Sequence, residues 1–332
     1  MSTTTTGPLP GAPFDDRKRI EELMQKTGRE LLTVDFKMLP ELEQQRHRPF
    51  IYLLMGLVRH FWNGNRFGVN GDYPYRPKQK TGQLIFDKGE EYKGHNIAAI
   101  AVDGNDKVID FDFNHNTVFR SSMEHAEARL LRRIFSLTGL RSGWSLGDQR
   151  EEVRDEYSTS LGEVTIYTSL EPCAQCAGIM ALARIKEVVY LQADDGAMRV
   201  ANVIYNLQPY SAKLKPIQGW QCGVDFGTRL ADAYEEFKRK AGDANALPFY
   251  APFEKSEKPE RSTSLATFLC TDVARDIFDE GSLRLAQLGL NPERNDGYGE
   301  GVETRLTRPE VLADIKAFFA YATKGGHRGT AH

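Results

Sequence analysis

The sequence predicts an α/β fold class. Three observations carry the prediction. Strand-like and helix-like patterns alternate between Asn96 and Leu207, a hairpin opens the run, and the later strands are short and apolar with helical stretches between them. Alternation of this kind argues for a layer of mostly parallel later strands covered by helices.

The elements follow in order. Residues 1–14 read as a disordered tail, with no basic start followed by an apolar stretch as a secretory signal requires. Asp15 to Leu32 has apolar residues at helical spacing, with Asp15 or Asp16 as a cap. Phe50 to Trp62 is apolar nearly all round and follows Pro49, which reads as a buried helix. Residues 63–82 are rich in turn formers and read as a loop. "NIAAIAV" (Asn96 to Val102) and "KVIDFDF" (Lys107 to Phe113) flank "DGND", a hairpin signal.

Ser121 then opens a helix, with Ser121 and Glu124 at capping-box spacing and Met123, Ala126, Leu130, Leu131, Ile134 and Leu137 forming its apolar stripe. Glu163 to Ser169 is a strand. Cys173 to Ile185 is a helix with Pro172 at its first turn. Glu187 to Ala193 is a further strand and Ala197 to Leu207 a further helix. Gln208 to Pro216 reads as an exit from this unit, and the remainder reads as helices over Ser264 to Phe278, Ser282 to Leu290 and Pro309 to Thr323, with a polar, Gly-rich loop among them. The expected organisation is a disordered tail (1–14), a helical leader and loop (15–95), part of which supplies the first core helix, a core (96–215) and a mainly helical C-terminal extension of unknown role (216–332).

Composition excludes several classes. The chain has 332 residues, room for about two compact units. A net charge of −3 gives no global attraction to nucleic acid. No apolar run approaches the roughly 18 residues of a membrane span. Four cysteines in a chain of this length make no disulfide framework, which points to a reducing, cytoplasmic setting.

The cysteines pose the chemical question. "TSLEPCAQCAG" (Thr168 to Gly178) carries two of the four, Cys173 and Cys176, at helical i, i+3 spacing near a helix N-terminus. Unpaired N–H groups and the helix dipole there favour thiolate over thiol. Upstream, His125 offers a nitrogen. One nitrogen and two thiolates suit a tetrahedral zinc ion, and three protein ligands leave the fourth position open, as in catalytic sites. Glu127 lies two residues from His125, off its face of the helix, so it is read as a proton shuttle rather than a ligand.

His125-Ala126-Glu127 followed by Pro172-Cys173-x-x-Cys176 resembles the signature of the cytidine deaminase superfamily of zinc-dependent nucleobase deaminases. The likeness spans Asn96 to about Leu207. "LEPCAQCAG", Arg184-Ile185, Val188-Val189 and Ala193-Asp194-Asp195 are most similar to the tRNA adenosine deaminase and guanine deaminase branch. The resemblance implies that 96–215 is a zinc-site core, three-layer α/β/α with a mixed sheet, between helical N- and C-terminal extensions. It implies one Zn²⁺ per chain on His125, Cys173 and Cys176, an activated water, and Glu127 as the catalytic proton carrier in hydrolytic release of ammonia. It also implies that Asn114, which closes the strand before the His125 stretch, contacts the substrate, with Ala126 and Ser169 lining the pocket. Asn116 is the rival to Asn114, and turn chemistry is the plain alternative for both. The partners implied are a nucleobase-containing small molecule or tRNA, and a second copy of the chain, since many relatives are oligomers.

Rival readings stay open at this level. A structural zinc site needs a fourth ligand, for which Cys222, Cys270, His47, His60 and His95 are candidates by type. A redox dithiol leaves His125 and Glu127 unexplained, and a deaminase fold used only for binding is a third reading. Arg129, Arg132 and Arg133 are a basic cluster for phosphate or the solvated side of their helix. Residues 140–162 stand as an insertion relative to the tRNA branch.

Overall fold

A computed structural model describes residues 36–62, 93–138, 161–194, 214–242, 265–289 and 308–324, with a few single positions between 18 and 30. The expected tail, the helix over 197–207 and nearly all of the 140–162 insertion lie outside these residues, as does most of the helix expected over 15–32.

Five strands form one mixed sheet. They are β1 (Ala98–Val102), β2 (Val108–Phe113), β3 (Thr165–Leu170), β4 (Glu187–Gln192) and β5 (Lys215–Gln218), in the order β2-β1-β3-β4-β5. β1 pairs antiparallel with both β2 and β3, while β3–β4 and β4–β5 are parallel. The predicted hairpin is present. Oδ1 of Asp103 accepts from the Asn105 and Lys107 amides and closes its turn. β1 and β4 are buried along nearly their whole length, as their unbroken apolar runs require when helices cover both faces. β5 was not foreseen: Pro216 hides it, and is tolerated because the strand is at the sheet edge.

The helices are α1 (Glu41–His60), α2 (Ala126–Thr138), α3 (Ala174–Leu182), α4 (Phe226–Gly242), the single turn α5 (Leu265–Phe268), α6 (Asp272–Gln287) and α7 (Arg308–Lys324). Among the described residues, none is long and apolar enough to cross a membrane. Two neighbouring residues of β3 define the layers. Tyr167 sends its hydroxyl to Nδ1 of His47 on α1, 2.9 Å away, and Thr168 sends its own to Glu127 on α2, 3.2 Å away. α1, with α4 and α6 packed beside it, covers one face, and α2 with α3 covers the other. The result is the expected α/β/α sandwich.

Several boundaries differ from the sequence reading. α1 begins nine residues before Phe50 and carries Pro49 inside it. Glu41, Leu42 and Glu43 are exposed, but three polar residues of its first half, Gln44, Gln45 and His47, are buried: Gln44 Nε2 donates to the Leu39 carbonyl and His47 meets Tyr167. The two helices expected near 264–290 join through Gly281 into α6, capped by the Thr271 hydroxyl. Gly281 is a contact residue rather than a break, since a Cβ there would stand 2.7 Å from Cβ of Met55 on α1. α7 closes the sheet edge, where Oδ2 of Asp314 accepts from the Val108 amide at 3.1 Å.

Candidate metal centre

The His125 ligand is delivered by a tight connection between β2 and α2. Asn114 extends the strand ladder by donating its amide to the Ile97 carbonyl, and its Oδ1 accepts from the His95 and Asn116 amides. The His115 amide then donates to the Glu124 carbonyl at 2.9 Å, which closes the loop. The expected capping box at Ser121 is absent. Ser121 Oγ takes the Met123 amide, and Glu124 turns to Arg129 and Arg132 instead, a stronger pairing than a single amide offers. The helix therefore starts at Ala126, and the His125 carbonyl accepts from the Arg129 amide at 3.0 Å. His125 stands just outside α2, so it and Glu127 converge although they are two apart.

The thiols come from the start of α3. Cys173, in extended conformation, is the N-cap residue and Cys176 occupies the third helical position. Pro172 thus precedes the cap rather than sitting in the first turn. The helix stops at Leu182, short of Ile185. Arg184 enters the left-handed region at φ 56°, while the Ile185 and Arg184 amides donate back to the Met180 and Ala181 carbonyls.

The three ligand atoms form a compact triangle. Cys173 Sγ lies 3.8 Å from Cys176 Sγ and 3.4 Å from His125 Nδ1, and the third side is 3.6 Å. Zinc bonds of about 2.3 Å to sulfur and about 2.0–2.1 Å to nitrogen give tetrahedral edges of about 3.8 Å between sulfurs and about 3.5 Å between nitrogen and sulfur. The donor set and the spacing both fit zinc. Among the described residues no other His, Cys, Asp or Glu joins the cluster. Cys222, Cys270, His47, His60 and His95 lie elsewhere, so none of the candidates by type is a fourth ligand among the described residues.

The buried groups of the cluster perturb one another's protonation. The Cys176 thiol, hydrogen-bonded to Cys173, holds the Cys173 thiol down to about 4, against burial and with help from His125. Cys176 is pushed far up by the same contact and by burial. His125 is raised by its hydrogen bond to Cys173. Glu127 is raised by its burial. Its Oε1 accepts from Thr168 Oγ1 at 3.2 Å, and its Oε2 lies 3.4 Å from Cys176 Sγ.

The other predicted contacts are distributed as follows. Ala126 is fully buried beside the cluster at the start of α2. Ser169 is buried, and its hydroxyl accepts from the Ala98 amide at 3.0 Å. Asn114 is buried with its oxygen engaged in the turn, while Asn116 Nδ2 faces His95 Nε2 at 3.0 Å. The basic cluster is corrected: Arg129 and Arg133 are buried in ion pairs with Asp112, and only Arg132 is exposed. The aspartates that pair with Arg129 and Arg133 come from β2, the preceding element, while Glu124 just ahead of the helix pairs with Arg129 and Arg132. Thr168 was missed, although β3 alternation places it opposite Tyr167.

The chain is similar to known proteins over part of its length. Residues 80–192 match the family model described as the cytidine and deoxycytidylate deaminase zinc-binding region. A tRNA-specific adenosine deaminase of Rickettsia bellii (strain RML369-C) is 29% identical over 120 residues, 36% of this chain and 68% of that one. Similar solved structures include one from studies of A-to-I editing by tRNA:A34 deaminases, at 23% identity, 37% and 82% coverage of the two chains and TM-score 0.28. Guanine deaminase of Nitrosomonas europaea follows at 15% identity, 39% and 70% coverage and TM-score 0.26. The region that matches the cytidine and deoxycytidylate deaminase zinc-binding model, residues 80–192, contains all three members of the candidate metal site, His125, Cys173 and Cys176.

Proposed function

We propose that the protein is a zinc-dependent hydrolytic deaminase of an amino-purine or amino-pyrimidine. One water is consumed, the ring C–NH2 bond breaks, a ring C=O forms and ammonia leaves. The observation that carries this reading is the ligand triangle with zinc edge lengths and a buried carboxylate, Glu127, set 3.4 Å from one of its sulfurs. A zinc ion on these ligands supplies a polarised water of lowered pKa. Glu127 is the proton carrier of this reaction, taking the water's proton and passing it to the ring nitrogen and the leaving amine. Thr168 fixes the carboxylate by donating to Oε1.

Asn114, Ala126 and the main chain at Ser169 are the proposed substrate contacts. Oδ1 of Asn114 is occupied, so Nδ2 is the atom it presents to a base. The Rickettsia relative supports tRNA adenosine as substrate. The burial of Arg129 and Arg133 removes two cations from any phosphate-binding surface and supports a free base, nucleoside or nucleotide.

The test is ammonia release by zinc-loaded wild type and Glu127→Gln on guanine, cytosine, adenosine, cytidine, deoxycytidylate and bulk tRNA. The expected outcome is wild-type turnover of at least one substrate and loss of turnover in the variant with metal retained. Full activity of Glu127→Gln overturns its role. A wild type that holds zinc and leaves every substrate untouched favours a fold used for binding.

A further inference from the structure

We infer that Arg129 is a positioning residue for the metal ligand His125, acting through Glu124. This rests on the metal-centre reading above. A zinc-bound histidine ordinarily has its second ring nitrogen held by a carboxylate or carbonyl, which fixes the ring. Here Nδ1 faces the two sulfurs, and among the described residues no protein group hydrogen-bonds the other nitrogen of His125. The orientation of the ring falls to the main chain that carries it, and Arg129 braces it from two directions, with its amide on the His125 carbonyl and its guanidinium on the carboxylate of the preceding residue, Glu124.

On one side the Arg129 amide donates to the His125 carbonyl at 3.0 Å. On the other its Nη1 donates to Oε2 of Glu124, the residue just before His125, at 3.0 Å. Nε anchors the same guanidinium to Oδ1 of Asp112 on β2 at 3.1 Å, and the Phe119 ring lies under it at 4.9 Å. Arg129 is 2% exposed and Asp112 fully buried, so the clamp works away from solvent screening. Glu124 is also held through its carbonyl by the His115 amide. The ligand loop is thereby tied to the rigid sheet by one buried cation. Arg133 provides a control within the same helix. It is equally buried and pairs with Asp112 and Asp110, but it makes no contact with Glu124.

The experiment measures Zn²⁺ affinity by chelator competition and the visible spectrum of the Co²⁺-substituted full chain, alongside urea stability. Arg129→Met and Glu124→Gln are expected to weaken Zn²⁺ binding by about tenfold or more and to alter the Co²⁺ bands. The double variant is expected to lose no more than the worse single, because both remove one clamp. Arg133→Met is expected to lose stability while keeping wild-type affinity and spectrum. Glu124 is partly exposed, so Glu124→Gln carries the test if Arg129→Met does not fold. Wild-type affinity in Glu124→Gln, or affinity losses that track stability equally in Arg133→Met, overturns the proposal. A wild type that takes up no Zn²⁺ or Co²⁺ overturns the metal-centre reading itself, a distinct failure.

Discussion

The hydroxyl of Thr168 donates to Oε1 of Glu127 across 3.2 Å, linking the middle of the sheet to the carboxylate beside the metal site. Both groups are buried, so losing the donor leaves a carboxylate oxygen unpaired where water does not replace it. Thr168→Val preserves shape and removes only this contact. We expect its kcat/KM for ammonia release to fall by about tenfold, the equivalent of about 1.4 kcal/mol. Metal content should stay at the wild-type level and Thr168→Ser should restore the rate. An unimpaired valine variant would remove Thr168 from the site.

The opposite face of the same strand predicts acid sensitivity. His47 is buried against the Tyr167 hydroxyl at 2.9 Å, and burial, then Arg46, Lys215 and Lys186, lower its pKa from 6.5 to about 3. The unfolded chain takes up a proton near pH 6.5 while the folded chain does not. Stability is therefore complete above that pH and falls as pH drops toward 3, by up to about 1.4 kcal/mol per unit. His47→Gln keeps a polar partner for Tyr167 and cannot titrate. Urea midpoints between pH 6.5 and 4.5 should fall less steeply in this variant, and parallel curves would contradict the assignment.

The legible parts of the chain were those whose signal is local. The hairpin turn and the apolar run at Val188-Val189-Tyr190 each show in a few neighbouring residues, and the motif that joins His125 to Cys173 and Cys176 anticipates the ligand triangle. The errors share a cause in distant partners. His47 reads only as a candidate fourth ligand, because nothing near it in sequence announces Tyr167, the partner that receives it. Arg129 and Arg133 look like a free basic face because Asp110 and Asp112 lie on another element. Gly281 looks like a helix break because nothing in sequence announces Met55 against it. Thr168 was silent for the same reason: its role depends on which face of β3 meets α2.

Two helical glycines should respond in opposite directions to alanine. A Cβ at Gly227, in the first turn of α4, would stand 1.9 Å from the Leu191 carbonyl oxygen, which is backbone of β4. The helix has to lift off the sheet, so Gly227→Ala should cost about 2–3 kcal/mol. A Cβ at Gly178, in the middle of α3, meets nothing within 4 Å. Gly178→Ala should gain up to about 1 kcal/mol from helix propensity alone. Urea unfolding of the two variants checks both signs, and a neutral Gly227→Ala would refute the close α4–β4 approach.

Arg184 stores strain that a single substitution should release. It is exposed, it holds φ 56° at the end of α3, and the amides of Arg184 and Ile185 close the helix onto Ala181 and Met180. This is the position where glycine is favoured, because a Cβ in the left-handed region crowds the backbone by about 1–2 kcal/mol. Part of that gain is offset by the greater freedom of glycine in the unfolded chain. Arg184→Gly should therefore stabilise the fold by about 0.5–1 kcal/mol, while Arg184→Val, with a branched Cβ, should destabilise it. Because the turn lies at the far end of α3 from Cys173 and Cys176, Zn²⁺ affinity should not change in either variant. A loss of stability in Arg184→Gly would mean that the arginine side chain contributes more than its backbone strain costs.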